Sequence, residues 1–512
     1  MSVSVTVKQK TVVLYPSLGV GHLNPMVELA NVFLRRGQAI AIAVVNPPDK
    51  GAVSEDAMAR LSTANPAITF RLLPVPSCGK DHYSHPVLRT TDVLRAANPS
   101  LRGFLHDVMS AMEIFGHVRE LDWTGPVRTL PAVDAIVVDM FCVDALDVAA
   151  ELDIPAYFFF ASAVGDLAIM LHLPYYYPAA PCSFKDMGKT VLRFPGVPPI
   201  RALDMSTTML DQESDIAKEW LRHHMRMPEA RGFLANSFDW LEARALEALR
   251  YGLCTPGRPT PPVYCIGPLV LPGQTGGGAG GRHACLEWLD AQPERGVVFL
   301  CFGSLGTFSA AQLAEVARGL QDSGHRFLWV VRSPPEQKDE SVEPDLQASF
   351  PEGFLEETAG RGFVVKNWAP QAEVLRHGAV GAFVTHCGWN SRLEGIVSGV
   401  PMICWPLYAE QRMNKVHVVE EMKVGMAVEG YEEGLVKAEE VAAKVRLVMA
   451  SEEGNKLRER LVAAKETAVA AVKDGVVSLV PPVRLWLFLL PPIGVVSCAK
   501  PSAGIPRRDL PD

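Results

Sequence analysis

The chain has no CxxC pair and no His/Cys cluster at zinc spacing; its ten cysteines are scattered over 512 residues. That pattern speaks against a zinc ribbon or a disulfide framework and for a reducing, cytoplasmic setting. There is no basic stripe either. Lys and Arg number 49 against 57 Asp and Glu, a net charge of −8, which argues against a nucleic-acid partner. Long apolar runs are missing too. The stretch 11–15, after the polar opening MSVSVTVKQK, is too short for a signal core and ends at Pro16. The most apolar segment, 478–497, is interrupted by Pro481, Pro482, Arg484, Pro491 and Pro492, whereas a spanning helix wants about 20 largely unbroken apolar residues. No stable membrane insertion is expected, and no short repeat is visible.

What is present is an ordinary globular composition, 48% hydrophobic and 21% charged. One core stops growing at roughly 250–300 residues, so a chain of this length predicts two domains. The first reads as 1–255. A Pro/Gly-rich stretch at 256–282, with Pro259, Pro261, Pro262 and the glycine run 276–281, reads as linker and loop. The second domain reads as 283–475, and 476–512 as an atypical proline-rich tail.

Both domains show the same grammar. A β-branched strand at 11–15 is broken by Gly19-Val20-Gly21. A helical spacing of apolar residues follows at 25–36, then a strand at 39–45, the opening of a parallel βαβ sheet. Buried-strand runs recur at 135–138 and 156–160. The pattern restarts at 297–302, turns at Gly303-Ser304, and continues with a helix at 310–321 and a strand at 327–331. Two such series predict an α/β protein with two Rossmann-like domains facing a cleft.

Between residues 368 and 411 the chain carries Trp368-Ala369-Pro370-Gln371, His386-Cys387-Gly388-Trp389-Asn390-Ser391, Glu394 and Glu410-Gln411. Trp368 follows an apolar strand at 362–365, the place where open α/β sheets bind ligands. A core tryptophan before a turn proline is the equally open alternative. Strand 379–385 runs into the His386 turn, and Asn390-Ser391 opens a helix at 392–397. A helix start binds phosphate, and Asn and Ser there also cap it. Glu394 would elsewhere be a solvated helix glutamate.

The window resembles the signature box of the plant UDP-sugar-dependent secondary-product glycosyltransferases, in feel those acting on flavonoids and small phenolics. The resemblance covers about residues 10–475 and implies the GT-B fold. It implies that Trp368 stacks the uracil, with Ala369 and Gln371 at the base edge. Ser304, His386, Asn390 and Ser391 would hold the diphosphate, Glu394 the ribose, and Glu410 and Gln411 the sugar hydroxyls, with Trp389 part of the same donor site. A glutamine at the last position is associated with glucose donors, histidine with galactose.

A second constellation lies in the first domain. His22 follows Gly19-Val20-Gly21 just before the first helix, where the positive end of the dipole favours a neutral ring, the form a general base needs. Asp139 closes the 135–138 strand; if both strands share one parallel sheet, the two residues reach the same rim, and Asp139 can orient His22. The resemblance makes them the catalytic dyad. The expected reaction is inverting transfer of glucose from UDP-glucose to a phenolic hydroxyl, giving a β-O-glucoside, by a monomer with no cofactor and no metal. The acceptor pocket is expected within loops 75–110, 140–145 and 180–210. Arg392 is the one box residue that would favour UDP-glucuronate instead.

Three features depart from the family pattern. Ala161 stands where a threonine often meets the sugar 6-hydroxyl, with Ser162 the candidate replacement. Arg392 replaces a small or β-branched residue just inside the phosphate helix, either adding charge toward the diphosphate or pointing to solvent. After a helix at 456–472 the tail 478–512 lacks helical period and is expected to pack poorly. That tail keeps open a UDP-sugar-binding pseudoenzyme; a sugar-nucleotide epimerase is a third reading, against which the full box argues.

Overall fold

The computed structural model describes residues 11–47, 55–76, 83–110, 133–270, 282–335 and 344–473. The tail and the glycine run 276–281 lie outside them, so the expectation for 478–512 does too.

The strands of the first half are β1 (Thr11–Tyr15), β2 (Ala39–Asn46), β3 (Ile68–Pro74), β4 (Val133–Asp139), β5 (Ala156–Phe160), β6 (Val191–Leu192), β7 (Ile200–Arg201), β8 (Phe233–Ala235) and β9 (Val263–Cys265). The small β6–β7 pair is antiparallel. The other seven form one parallel sheet in the order β3-β2-β1-β4-β5-β8-β9. The second half contributes β10 (Val297–Cys301), β11 (Arg326–Val331), β12 (Gly362–Lys366), β13 (Val380–Thr385), β14 (Met402–Cys404) and β15 (Gly425–Ala427). They form a parallel sheet ordered β12-β11-β10-β13-β14-β15. Their runs, such as VVFLC and VGAFVT, are buried throughout, as strands covered by helices on both faces must be.

Each sheet reverses its strand order once, between β1 and β4 in the first and between β10 and β13 in the second. At such a reversal the crossover helices leave to opposite faces and a crevice opens at the carboxyl ends, the usual ligand position.

In the first half two boundaries differ notably from the sequence expectation. The first helix is Val20–Leu34, so it begins before Pro25 and includes His22. Pro25 deprives the Gly21 carbonyl of its i+4 donor, but Gly21 is exposed, where water can take that bond. And β9 pairs in parallel with β8, so the first unit runs past the proline stretch 258–262 instead of ending at 255.

The halves are knit together. Met413 and Val416, from the second half, pack in the core of the first sheet, and Ala163, Phe238 and Leu241 pack in the core of the second. Buried Lys415 pairs with buried Asp204 at 2.8 Å, and Tyr431 donates its hydroxyl to the same carboxylate at 3.2 Å. Among the described residues no helix is long and apolar enough to cross a membrane.

Candidate active site

The loop after β1 and the end of β4 meet at the first reversal. Tyr15 lies opposite Val138, which carries Asp139 one residue past the last pair. Asp139 is fully buried. One of its oxygens lies 2.9 Å from His22 Nδ1 and the other accepts the Phe141 N–H at 3.1 Å. The carboxylate is thus fixed by backbone on one side and holds the imidazole on the other. With Nδ1 turned to Asp139, Nε2 is the ring nitrogen left for a ligand, and the side chain is 31% exposed.

The expected dipole effect on His22 does not decide its charge. Burial pulls its pKa down, but the Asp139 charge and hydrogen bond, with a smaller push from Glu410, carry it above the ordinary value. His22 is therefore a stronger base than a free imidazole, and its protonated form is held by a neighbouring carboxylate. Glu410 feels the pair in return: burial raises its pKa, and the charge of His22 opposes that rise.

An aromatic wall adjoins His22. Phe141 meets the imidazole edge-on at 5.0 Å and Trp220 at 5.0 Å, and Trp220 stacks on His224 at 5.7 Å. Phe141 falls in one expected acceptor loop, 140–145. Trp220 lies on the helix Asp215–Arg226, outside every expected loop; nothing local marks it, because it reads as a core position of an amphipathic helix.

At the second reversal, β10 delivers Gly303-Ser304 and β13 delivers His386. Ser304 is exposed, and the helix beyond it starts only at Ala310, capped by Ser309. Gly303 has φ +75, and a Cβ there would lie 2.6 Å from His386 Nε2; one at Gly388 would lie 2.5 Å from it. The two glycines cradle the imidazole. His386 is buried, its Nδ1 has no hydrogen-bond partner, and burial pulls its pKa down to about 4. At neutral pH the ring is therefore a neutral N–H donor, not a cation. Arg332, just past β11, bonds the Gly303 carbonyl at 3.1 Å and brings a guanidinium to this loop. It belongs to no motif, although its place at a strand's carboxyl end is a signal the switch-point rule can use.

The helix Trp389–Ser398 starts at the residue after Gly388, three before the expected 392. Neither Asn390 nor Ser391 caps it. Ser391 instead accepts a bond from Gln371 Nε2 at 2.9 Å, and the same amide donates to Glu394 at 2.7 Å. Burial raises the Glu394 pKa, with the Gln371 bond opposing, so this is no solvated helix glutamate. Asn390 faces Asn236 of the first half at 3.4 Å.

Trp368 is 60% exposed, which removes the core alternative. Asn367, at φ 63, turns the chain sharply out of β12, leaving the indole touched edge-on by His283 at 5.9 Å. Ala369 is buried beneath. Trp389 behaves otherwise: it is buried, and its indole N–H donates to the Asn236 carbonyl at 2.7 Å, so that donor joins the two halves. Arg392 fulfils neither expectation. It is wholly buried, 4.4 Å over the Trp389 ring. Ser162 is buried and donates its hydroxyl to Asp166 at 2.8 Å. Gln411 accepts the Leu407 and Tyr408 N–H groups at 2.8 and 3.0 Å; its NH2 is what it can offer a ligand.

Among the described residues, Asp144, Glu219 and His223 bring ligand atoms within 4.8 Å of one another. Their carboxylates are paired with Arg95, Arg222 and Arg226.

Residues 280–456 match the family model of UDP-glucoronosyl and UDP-glucosyl transferases. The chain is 39% identical to an anthocyanidin 5,3-O-glucosyltransferase of a Rosa hybrid cultivar, over 93% of this chain and 98% of that protein. The chain belongs to the plant UDP-glycosyltransferases. It is an enzyme of that family, with the two-domain GT-B fold. A phloretin 2'-O-glucosyltransferase of Pyrus communis is 40% identical, over 90% of this chain and 96% of the relative. Among solved structures, a UDP-glucosyltransferase from Polygonum tinctorium, capable of glucosylating indoxyl and complexed with 3,4-dichloroaniline, superposes with TM-score 0.79 at 36% identity, covering 91% of this chain and 96% of that one. Phytolacca americana UGT2, complexed with UDP-2fluoro-glucose and pterostilbene, does so with TM-score 0.76 at 32% identity, covering 90% and 94%.

Proposed function

We propose that this enzyme transfers glucose from UDP-glucose to a hydroxyl of a phenolic acceptor of flavonoid type, with inversion at the anomeric carbon. The observation that carries the reading is the His22–Asp139 pair at 2.9 Å, placed at one strand reversal and facing the donor box built on the other. Nδ1–H donates to Asp139, and Nε2 takes the proton of the acceptor hydroxyl. The phenolic oxygen attacks C1 of the glucose from the face opposite UDP, the C1–O bond to the phosphate breaks, and UDP leaves. The imidazolium formed is held by Asp139.

In this reading Trp368 stacks the uracil, and Gln371 orients the Glu394 carboxylate toward the ribose. Ser304, His386, the Asn390–Ser391 helix start and Arg332 meet the diphosphate through N–H and hydroxyl donors, without a metal. Glu410 and Gln411 read the sugar. Arg392 is buried against the Trp389 ring, so it does not serve a uronate carboxylate, which supports glucose over glucuronate. Phe141 and Trp220 provide the apolar wall for an aromatic acceptor.

The test is turnover of purified enzyme with UDP-glucose, UDP-galactose and UDP-glucuronate against a panel of flavonols, anthocyanidins and dihydrochalcones, with the product anomer assigned by NMR. A β-glucoside, made with UDP-glucose preferred, is expected. An α-linked product, or a preference for UDP-glucuronate, overturns the reading.

A further inference from the structure

Arg392 is a guanidinium inside a helix, fully buried, in a box position where the family pattern has a small or β-branched side chain. Taking a cation out of water is costly, so its partners must hold it for some purpose. One of its terminal nitrogens donates to Asn414 Oδ1 at 2.8 Å; the other reaches Met422 Sδ at 3.6 Å, and the plane lies over Trp389. Burial works against its charge and pulls its pKa down, and the charges of Glu242 and Asp166 oppose that only in part.

The contact with Asn414 reaches the box. Asn414 is wholly buried on the helix Gln411–Val416, and its Nδ2 donates to Glu410 Oε1 at 3.4 Å. An amide has one acceptor end and one donor end, and a guanidinium has donors only. Arg392 therefore fixes which way the amide faces: oxygen to the arginine, NH2 to the carboxylate. With an apolar side chain at 392 the Asn414 oxygen loses that donor, the amide is free to turn, and its oxygen then faces a carboxylate oxygen. Asn414 is also the first residue of its helix turn to bond back to the Glu410 carbonyl, at 3.0 Å, so backbone and side chain of Glu410 are held by one residue.

We propose that Arg392 is a positioning residue for donor-sugar recognition: acting through Asn414, it holds the Glu410 carboxylate in the one orientation that meets the sugar hydroxyls. The inference rests on the reading of Glu410 as a sugar-binding group, and the experiment separates the two.

Wild type, Glu410→Gln, Arg392→Met and Asn414→Leu are compared for kcat/KM with UDP-glucose and with UDP-3-deoxyglucose and UDP-4-deoxyglucose, and for UDP affinity by calorimetry. A bond to a charged group governs discrimination of about 10–100-fold. Arg392→Met is expected to lose that factor with UDP-glucose, to lose less than about threefold with the deoxy donor that wild type rejects most, and to bind UDP as before. Arg392→Lys, which keeps a donor toward Asn414, recovers part of the discrimination. Equal losses with all donors, or a parallel loss of UDP affinity, overturn the proposal, since damage to packing alone does not distinguish a missing hydroxyl. If Glu410→Gln loses discrimination while Arg392→Met keeps it, the proposal falls and the sugar site stands. If Glu410→Gln keeps it, both fall. Should Arg392→Met fail to fold, Asn414→Leu decides: discrimination retained there overturns the proposal.

Discussion

The indole N–H of Trp389 donates to the main-chain carbonyl of Asn236 at 2.7 Å, joining the first residue of the donor-box helix to the end of a strand in the opposite half. Asn236 in turn accepts the Leu269 N–H through its side chain at 2.7 Å, so the crossover segment between the halves is tied to the same point. Relative placement of the halves decides whether base and donor meet, and this contact lies on that seam.

Replacing Trp389 with Phe leaves the Asn236 carbonyl buried and unpaired and gives Arg392 a weaker ring to stack on. A loss of about 1–3 kcal/mol is expected, read as a lower unfolding midpoint in calorimetry, with a rise in KM for the acceptor. An unchanged midpoint would mean that the seam is held elsewhere.

His22→Ala should cut turnover about 10²–10⁴-fold while UDP binding survives, because the imidazole acts on the acceptor proton and not on the nucleotide. Near-normal turnover would dismiss the dyad.

The same pair sets a pH dependence. The base must be neutral, and the His22 pKa stands above its ordinary 6.5, so kcat/KM should rise with pH along a limb lying above that value. Asp139→Asn removes the main upward influence and leaves burial to act, so the limb should move to lower pH while the maximal rate falls. A limb that stays in place in Asp139→Asn would assign it to another group.

Asp166 offers a stability test. Burial, partly opposed by His417, pushes its carboxyl up from about 3.8 to about 7; the Ser162 bond and Arg392 also oppose, and Glu410 adds to the push. Between those values the folded chain holds a proton that the unfolded chain releases, so stability falls as pH rises and the penalty is complete above about 7. Asp166→Asn keeps an acceptor for Ser162 and removes the penalty. It should gain stability relative to wild type by up to about 4 kcal/mol at pH 8, and little at pH 4. Parallel denaturation curves at the two pH values would contradict this.

Gly303→Ala forces a positive φ on a residue with a Cβ and drives that carbon to 2.6 Å from His386. Strain of about 1–3 kcal/mol and a displaced imidazole are expected, seen as at least tenfold weaker UDP binding by calorimetry. Unaltered affinity would remove His386 from the diphosphate site.

Much of this enzyme is written locally. Buried runs such as 297–301 and 380–385 read as strands because a strand covered on both faces must be apolar throughout, and glycines at 19 and 303 mark the turns between strand and helix. The start of the first helix was harder to read, because Pro25 is a breaker whose cost depends on whether its orphaned carbonyl is exposed. The edge strand β9 was obscured by the prolines before it, and only its pairing with β8 places it in the sheet.

The chain by itself determined the family and the parallel α/β architecture, and it supplies the polar groups proposed for a UDP-sugar, since periodicity, turn residues and a long spaced motif act over short stretches. Tertiary structure alone decided where those groups stand and what they touch. Trp368 and Trp389 are the same residue type in the same box, yet one stands 60% exposed and the other is sealed against Asn236. Arg392, legible only as a cation near a phosphate helix, lies buried above Trp389 and bonded to Asn414. The reason is physical: burial, hydrogen-bond partnership and pKa depend on neighbours far away in the chain, as Asn236 is from Trp389, and no local pattern carries that information.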